Sequence, residues 1–307
     1  MSGARKRQGP ECSALRLAVS VSAFAAVFFL SCCSTPPPPW NRNATPAAER
    51  PADITLEKWV GRGMMLQTKI RLEDGTEFSC ALDTGSPTST LPAAAEPKLG
   101  KRLGSGGLLM LDNPGRERTH LYAAPKIYLG NTLLETGNVI ETWNSPEAIL
   151  GMDCLRHYCI QLDLVAEKIR FLDSEHLDTS GLGEAFPLLS SRYAVIKQAG
   201  LFQRRNEELL VDTGCSLDGC LEPRLFNKAI RDEKVHIKPV EVMFRSETLD
   251  SAELPKCVWQ GEPYTDLIVG KGPPNIIGMR FLARHLVTFN FPKGVMYLKR
   301  VTSAPLK

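Results

Sequence analysis

Residues 209–216 read "LLVDTGCS", and residues 80–87 read "CALDTGSP". Each is an apolar run ending on an aspartate, Asp212 or Asp83, followed by threonine and glycine. Such a run reads as a strand, and the glycine lets the chain turn sharply behind it with no Cβ to clash. A single Asp-Thr-Gly arises readily by chance. Asp178-Thr179-Ser180 is a near match of that empty kind: it sits among polar residues with no strand before it and reads as a surface turn. Two copies, each behind an apolar strand, ask for a common explanation.

The similarity runs outward from both turns. An apolar-apolar-Gly step follows each: "AILGMDCL" places Gly151 68 residues after Asp83, and "NIIGMRFL" places Gly278 66 residues after Asp212. Beyond the glycines, "CIQLDLVAEKIRFL" from Cys159 matches "LVTFNFPKGVMYL" from Leu286, both alternating apolar and polar. The repeat spans roughly 54–172 and 186–300, and self-similarity at that period predicts two copies of one structural unit. Within the first copy, Asp74-Gly75 and Gly130-Asn131 each separate two alternating runs, which is a strong hairpin signal. The expected elements are therefore short antiparallel strands, with few and short helices.

Composition fits that reading. The chain has 307 residues, 43% hydrophobic and 23% charged, with 22 prolines and 24 glycines spread along it to make turns. The net charge of +3 is concentrated in residues 1–31, which carry Arg5, Lys6, Arg7 and Arg16 against Glu11. The rest is neutral and lacks the concentrated basic face that nucleic-acid binding requires.

The first 32 residues read as an export signal: a basic start, then a 14-residue stretch from Leu17 to Leu30, apolar apart from two serines. That is short for a bilayer-spanning helix, which needs about 20 residues. The "LSCC" ending is similar to a bacterial lipoprotein signal, with Cys32 or Cys33 as the lipidated residue and an uncleaved signal anchor as the alternative. Residues 33–53, rich in proline and small residues, read as an extended tether. The Asn43-Ala44-Thr45 sequon would matter only in a eukaryotic secretory pathway. The expected location is the cell envelope, in the periplasm or at the cell surface, held to a membrane.

Six of the nine cysteines lie in the folded body. Aligned through the repeat, Cys80 falls opposite Leu209, Cys154 opposite Phe281 and Cys159 opposite Leu286, so these read as core residues. Cys154 and Cys159, if both on a short helix after Gly151, would point to different faces and not bridge. A Cys215–Cys220 bridge across a loop is possible. No Cys/His cluster has zinc spacing, and His157 and His285, one step apart in the repeat frame, read as capping or surface residues.

With its "DTGS" and "DTGC" turns and its "ILGMD" and "IIGMR" steps, the sequence resembles the aspartic peptidase superfamily, over everything after the tether. The resemblance covers retropepsin-like and pepsin-like families, and the short repeat is closest to compact bacterial two-lobed forms. It implies an all-β fold: two tandem acid-protease β-barrel lobes, 54–175 and 186–307, joined by a linker at 176–185 and related by a pseudo-twofold axis. It implies an aspartic-type endopeptidase with Asp83 and Asp212 as the catalytic pair and no cofactor or metal. Thr84 and Thr213 would cross-brace the turns, Gly85 and Gly214 shape them, and Gly151 and Gly278 pack behind them. A flap hairpin over the cleft is expected within 100–125. The residue after each turn glycine, Ser86 or Cys215, could donate to the adjacent aspartate. A hydroxyl donates well and a thiol poorly, which would make Asp83 the more readily ionised. The implied partner is a polypeptide substrate, cut by a monomer because both halves of the site lie in one chain. A non-catalytic envelope lipoprotein, keeping the fold to bind peptides, is the competing reading.

Overall fold

The computed structural model describes residues 49–56, 66–109, 116–197, 208–233, 237–242, 245–254, 256–259 and 261–301. The export signal, the lipidation cysteines, the sequon and most of the tether lie outside them. The described chain is mostly β, with short helices. Its hairpins fall where the turn signals put them. Gln67–Leu72 and Glu77–Leu82 pair antiparallel around Asp74, whose carboxylate accepts the Thr76 N–H, and Gly75 takes a φ of +88° that a side chain would resist. Gly130 does the same between Ile127–Leu129 and Thr132–Leu133.

Two sheets carry the acidic turns. In the nine-stranded sheet the strands lie in the order Gly104–Leu109, Arg116–Ala123, Val139–Trp143, Thr90–Pro92, Ala148–Leu150, Glu77–Leu82, Gln67–Leu72, Ile127–Leu129, Thr132–Leu133. In the seven-stranded sheet the order is Ile237–Val242, Arg245–Leu254, Leu267–Lys271, Gly219–Leu221, Ile276–Gly278, Glu208–Asp212, Val195–Lys197. The first seven strands of one correspond to the seven of the other, in sequence rank as well as in position. The remaining hairpin, 127–133, has its counterpart in Cys257–Trp259 and Glu262–Tyr264, which pair only with each other. Helices repeat too. The 3₁₀ helix Ala93–Lys98 and the α-helix Pro223–Glu233 follow equivalent strands, and Met152–Leu155 and Met279–Leu282 follow the two signature glycines.

A third, six-stranded sheet joins the halves. Ile54–Thr55, Lys168–Leu172 and Cys159–Asp163 come from the first half, and His285–Asn290, Val295–Arg300 and Glu184–Pro187 from the second, in that order. The seam is Cys159–Asp163 against His285–Asn290, antiparallel, with Gln161 opposite Thr288 and its amide Nε2 donating to Thr288 Oγ1 at 3.0 Å. One continuous apolar core, running from Leu56 to Leu298, lies under all three sheets.

Two expectations need correction. Cys159 is not on the helix after Gly151, which ends at Leu155. Its last turn tightens into bonds from His157 N–H to Cys154 C=O and Tyr158 N–H to Leu155 C=O, and Cys159 then starts the seam strand. The linker is also shorter than 176–185, because Glu184 already pairs with Leu298 on the edge of the joining sheet. Cys80, Cys154 and Cys159 are buried as core residues, and the six described cysteines are free thiols.

Candidate active site

Each acidic turn is positioned by a parallel strand pair. Ala148–Leu150 runs alongside Glu77–Leu82 with Leu150 opposite Leu82, and the Asp83 N–H donates to Leu150 C=O at 3.0 Å. Ile276–Gly278 runs alongside Glu208–Asp212 with Gly278 opposite Asp212. Gly151 and Gly278 seat each turn from behind. A Cβ on Gly151 would meet the carbonyl oxygens of Thr88 and Ser86, and one on Gly278 would meet those of Leu217 and Cys215, all closer than 3.0 Å. Only glycine allows that approach. The next amide holds the same loops: Met152 N–H donates to Ser86 C=O at 2.8 Å, and Met279 N–H to Cys215 C=O at 2.7 Å.

Thr84 and Thr213 interlock the two turns. The Thr84 hydroxyl donates to Val211 C=O at 2.6 Å and accepts the Thr213 N–H at 3.1 Å. The Thr213 hydroxyl donates to Leu82 C=O at 2.7 Å and accepts the Thr84 N–H at 3.0 Å. Both threonines are buried, so each hydroxyl meets a carbonyl and an amide that would otherwise be unpaired away from water.

This lock brings the carboxyl groups of Asp83 and Asp212 together between the two turns. Each also faces the glycine of the opposite turn. A Cβ on Gly214 would fall 2.7 Å from Asp83 Cγ, and one on Gly85 would fall on the Asp212 carboxylate. Burial pushes Asp83 above the usual carboxylate range, with the Asp212 carboxyl and the amides of Gly85, Ser86 and Gly214 acting against it. Asp212 is pushed well above that range, first by burial and then by the charge of Asp83. With Asp212 buried and Asp83 half-buried beside it, the pair resists carrying two charges at once.

The expected donor role of Ser86 is not what the structure contains. Its hydroxyl donates to Thr88 C=O at 2.8 Å, within its own loop, where a short hydroxyl side chain finds a backbone acceptor at once. The inequality of the two aspartates comes instead from the backbone. Asp83 Oδ1 accepts two amides of its own turn, Gly85 at 2.8 Å and Ser86 at 3.1 Å, whereas Asp212 Oδ1 accepts one, Gly214 at 2.8 Å. Cys215 is half-buried, and its thiol is pushed up first by a hydrogen bond with Cys220 and then by burial.

No protein-family model matches this chain, and no curated protein matches its sequence.

Among the described residues no group of three or more His, Cys, Asp or Glu is arranged to hold a metal ion. Nor is any described helix long and apolar enough to cross a membrane. His157 and His285 find their partners away from the two aspartates. His157 Nδ1 sits 3.2 Å from Glu135 Oε2, partly exposed. His285 is buried rather than on the surface, and it caps: its Nδ1 donates to Phe281 C=O and its Nε2 accepts the Tyr264 hydroxyl. Sequence reasoning passed over Ser89, Asp153, Asp218, Arg280 and Arg284, which brace the loops from behind. The offset of the repeat is signal enough to find all but Arg284, since it sets Ser89 against Asp218 and Asp153 against Arg280.

Proposed function

We propose that this chain is an aspartic-type endopeptidase of two acid-protease lobes, with Asp83 and Asp212 activating a water between them. The observation that carries the reading is the threonine-locked pair of acidic turns, with each aspartate carboxyl set against the glycine of the opposite turn. In this scheme Asp83, held by more amides, carries the charge, and Asp212 carries the proton. Asp83 accepts a proton from the attacking water, while Asp212 donates to the carbonyl oxygen of the scissile peptide bond. The tetrahedral adduct collapses as the leaving nitrogen takes the proton from Asp83, the C–N bond breaks, and a hydroxyl of the adduct returns its proton to Asp212. No covalent enzyme intermediate forms, and neither carboxyl needs to change partner.

The hairpin Gly104–Leu109/Arg116–Ala123 falls within the expected flap, whose tip at 110–115 is outside the described residues. Ile237–Val242/Arg245–Leu254 holds the same place in the other sheet, so both serve as covers for an extended polypeptide. The N-terminal signal and tether would hold the enzyme at the cell envelope.

Cleavage of casein or a peptide library tests the proposal. Asp83→Asn and Asp212→Asn should each lower turnover by about a thousandfold, the scale of lost general acid–base catalysis. A folded wild type inert from about pH 3 to 7 would leave the peptide-binding reading in its place.

A further inference from the structure

Asp218 lies six residues past Asp212, where Ser89 lies six past Asp83; Arg280 lies two past Gly278, where Asp153 lies two past Gly151. Both positions are joined in both halves, by different chemistry. In the first half the Ser89 hydroxyl donates to Asp153 Oδ1 at 2.7 Å and accepts the Gly151 N–H at 3.0 Å. In the second, Asp218 Oδ2 accepts Arg280 Nε at 2.9 Å and the Ile268 N–H at 2.7 Å, and Oδ1 accepts Arg284 Nη2 at 3.2 Å. Asp218 has 0% of its surface exposed. A carboxylate so enclosed is tolerable only with its charge and lone pairs met, and each guanidinium also reaches the chain at 265–266.

We propose that Asp218 is a positioning residue for Asp212: it fixes the second acidic turn by a carboxylate–guanidinium tie where the first turn uses hydroxyl–carboxylate. Asp218 ends the loop that Asp212 begins, and its own C=O accepts the Gly278 N–H at 3.0 Å. The segment 212–218 is thereby held at both ends, with Cys215 and Leu217 carbonyls accepting the amides of Met279 and Arg280 between them. Breaking the tie leaves a buried acceptor and two guanidinium groups to rearrange, and the loop that aims Asp212 moves with them.

The inference rests on Asp212 being half of the catalytic pair, so two readouts are used. Peptide hydrolysis gives kcat and KM. Iodoacetamide labelling of the half-buried Cys215 thiol, read by peptide mass spectrometry, reports the loop whether or not the protein is a peptidase. Asp218→Asn should lower kcat about tenfold or more with KM nearly unchanged, and raise Cys215 labelling by a similar factor. Cys80 and Cys159 should stay protected, which separates loop movement from unfolding. The double change Asp218→Ser with Arg280→Asp installs the first half's tie and should restore both readouts relative to Asp218→Ser alone. If Asp218→Asn does not fold, Arg280→Gln carries the same two readouts. Unchanged labelling and kcat, or a double variant no better than the single, overturns the positioning role. If the wild type hydrolyses nothing, the peptidase reading fails and the thiol arm alone decides this one.

Discussion

Thr84 shows how much one hydroxyl can organise. It satisfies the Val211 carbonyl and the Thr213 amide at once, both out of reach of water. Thr84→Val should therefore destabilise the protein by about 2–4 kcal/mol in urea unfolding, since it strands two buried polar groups, whereas Thr84→Ser should stay close to wild type. Gly85→Ala should cost activity before stability, because its methyl group would fall on the Asp212 carboxylate. At this scale the sequence was legible where a residue has one geometric option. Aspartate, threonine and glycine in that order, behind a strand, leave little choice. Ser86 was not legible, because its hydroxyl could reach a carboxylate or the nearby Thr88 carbonyl and spacing alone does not choose.

Among the elements, the helix Met279–Leu282 shows what packing adds. Phe281 lies among Trp259, Tyr264 and His285, with ring centroids 5.3, 5.1 and 4.9 Å away, and Arg300 stands over the Tyr264 ring. In that enclosure burial holds the His285 imidazole down to about 4 from an ordinary 6.5. Between those values the unfolded chain binds a proton that the folded chain refuses. Stability is therefore fully present above the higher value and falls as pH drops toward the lower, by about 3 kcal/mol in all. Urea midpoints at neutral pH and near pH 4 should show that loss, and His285→Gln should flatten it. The aspartate pair acts in the opposite sense, because its raised pKa values favour the folded state at low pH and the contribution fades as pH rises. Strands and hairpins could be read from alternation and turn residues. The aromatic cluster could not, because its members come from four elements whose meeting no local pattern records.

Over the whole molecule, each half supplies twelve strands among the described residues, and the joining sheet takes three from each. The core is continuous and the threonine lock crosses between the halves, so the two should unfold together. Trp143 in the first half and Trp259 in the second, both buried, are natural probes. Single-tryptophan variants should give coincident urea transitions, and separated midpoints would show the halves to be independent. The doubling itself was plain in the sequence, from the 129 residues between the aspartates. The seam that joins the copies was not, because strand pairing across it depends on which edges meet.

Gln161 and Thr288 are 127 residues apart, the same interval that separates Gly151 from Gly278, and they face each other across that seam. In an assembly of two identical chains the residue at that crossing point confronts its own double. A charge there would meet the same charge, and an amide could only meet an amide. A single chain is free of that restriction. It can set glutamine against threonine at the centre, build one brace from a hydroxyl and the other from a guanidinium, and give two aspartates unequal shares of a proton. Asymmetry of this kind is open to a continuous chain and closed to a strictly twofold pair.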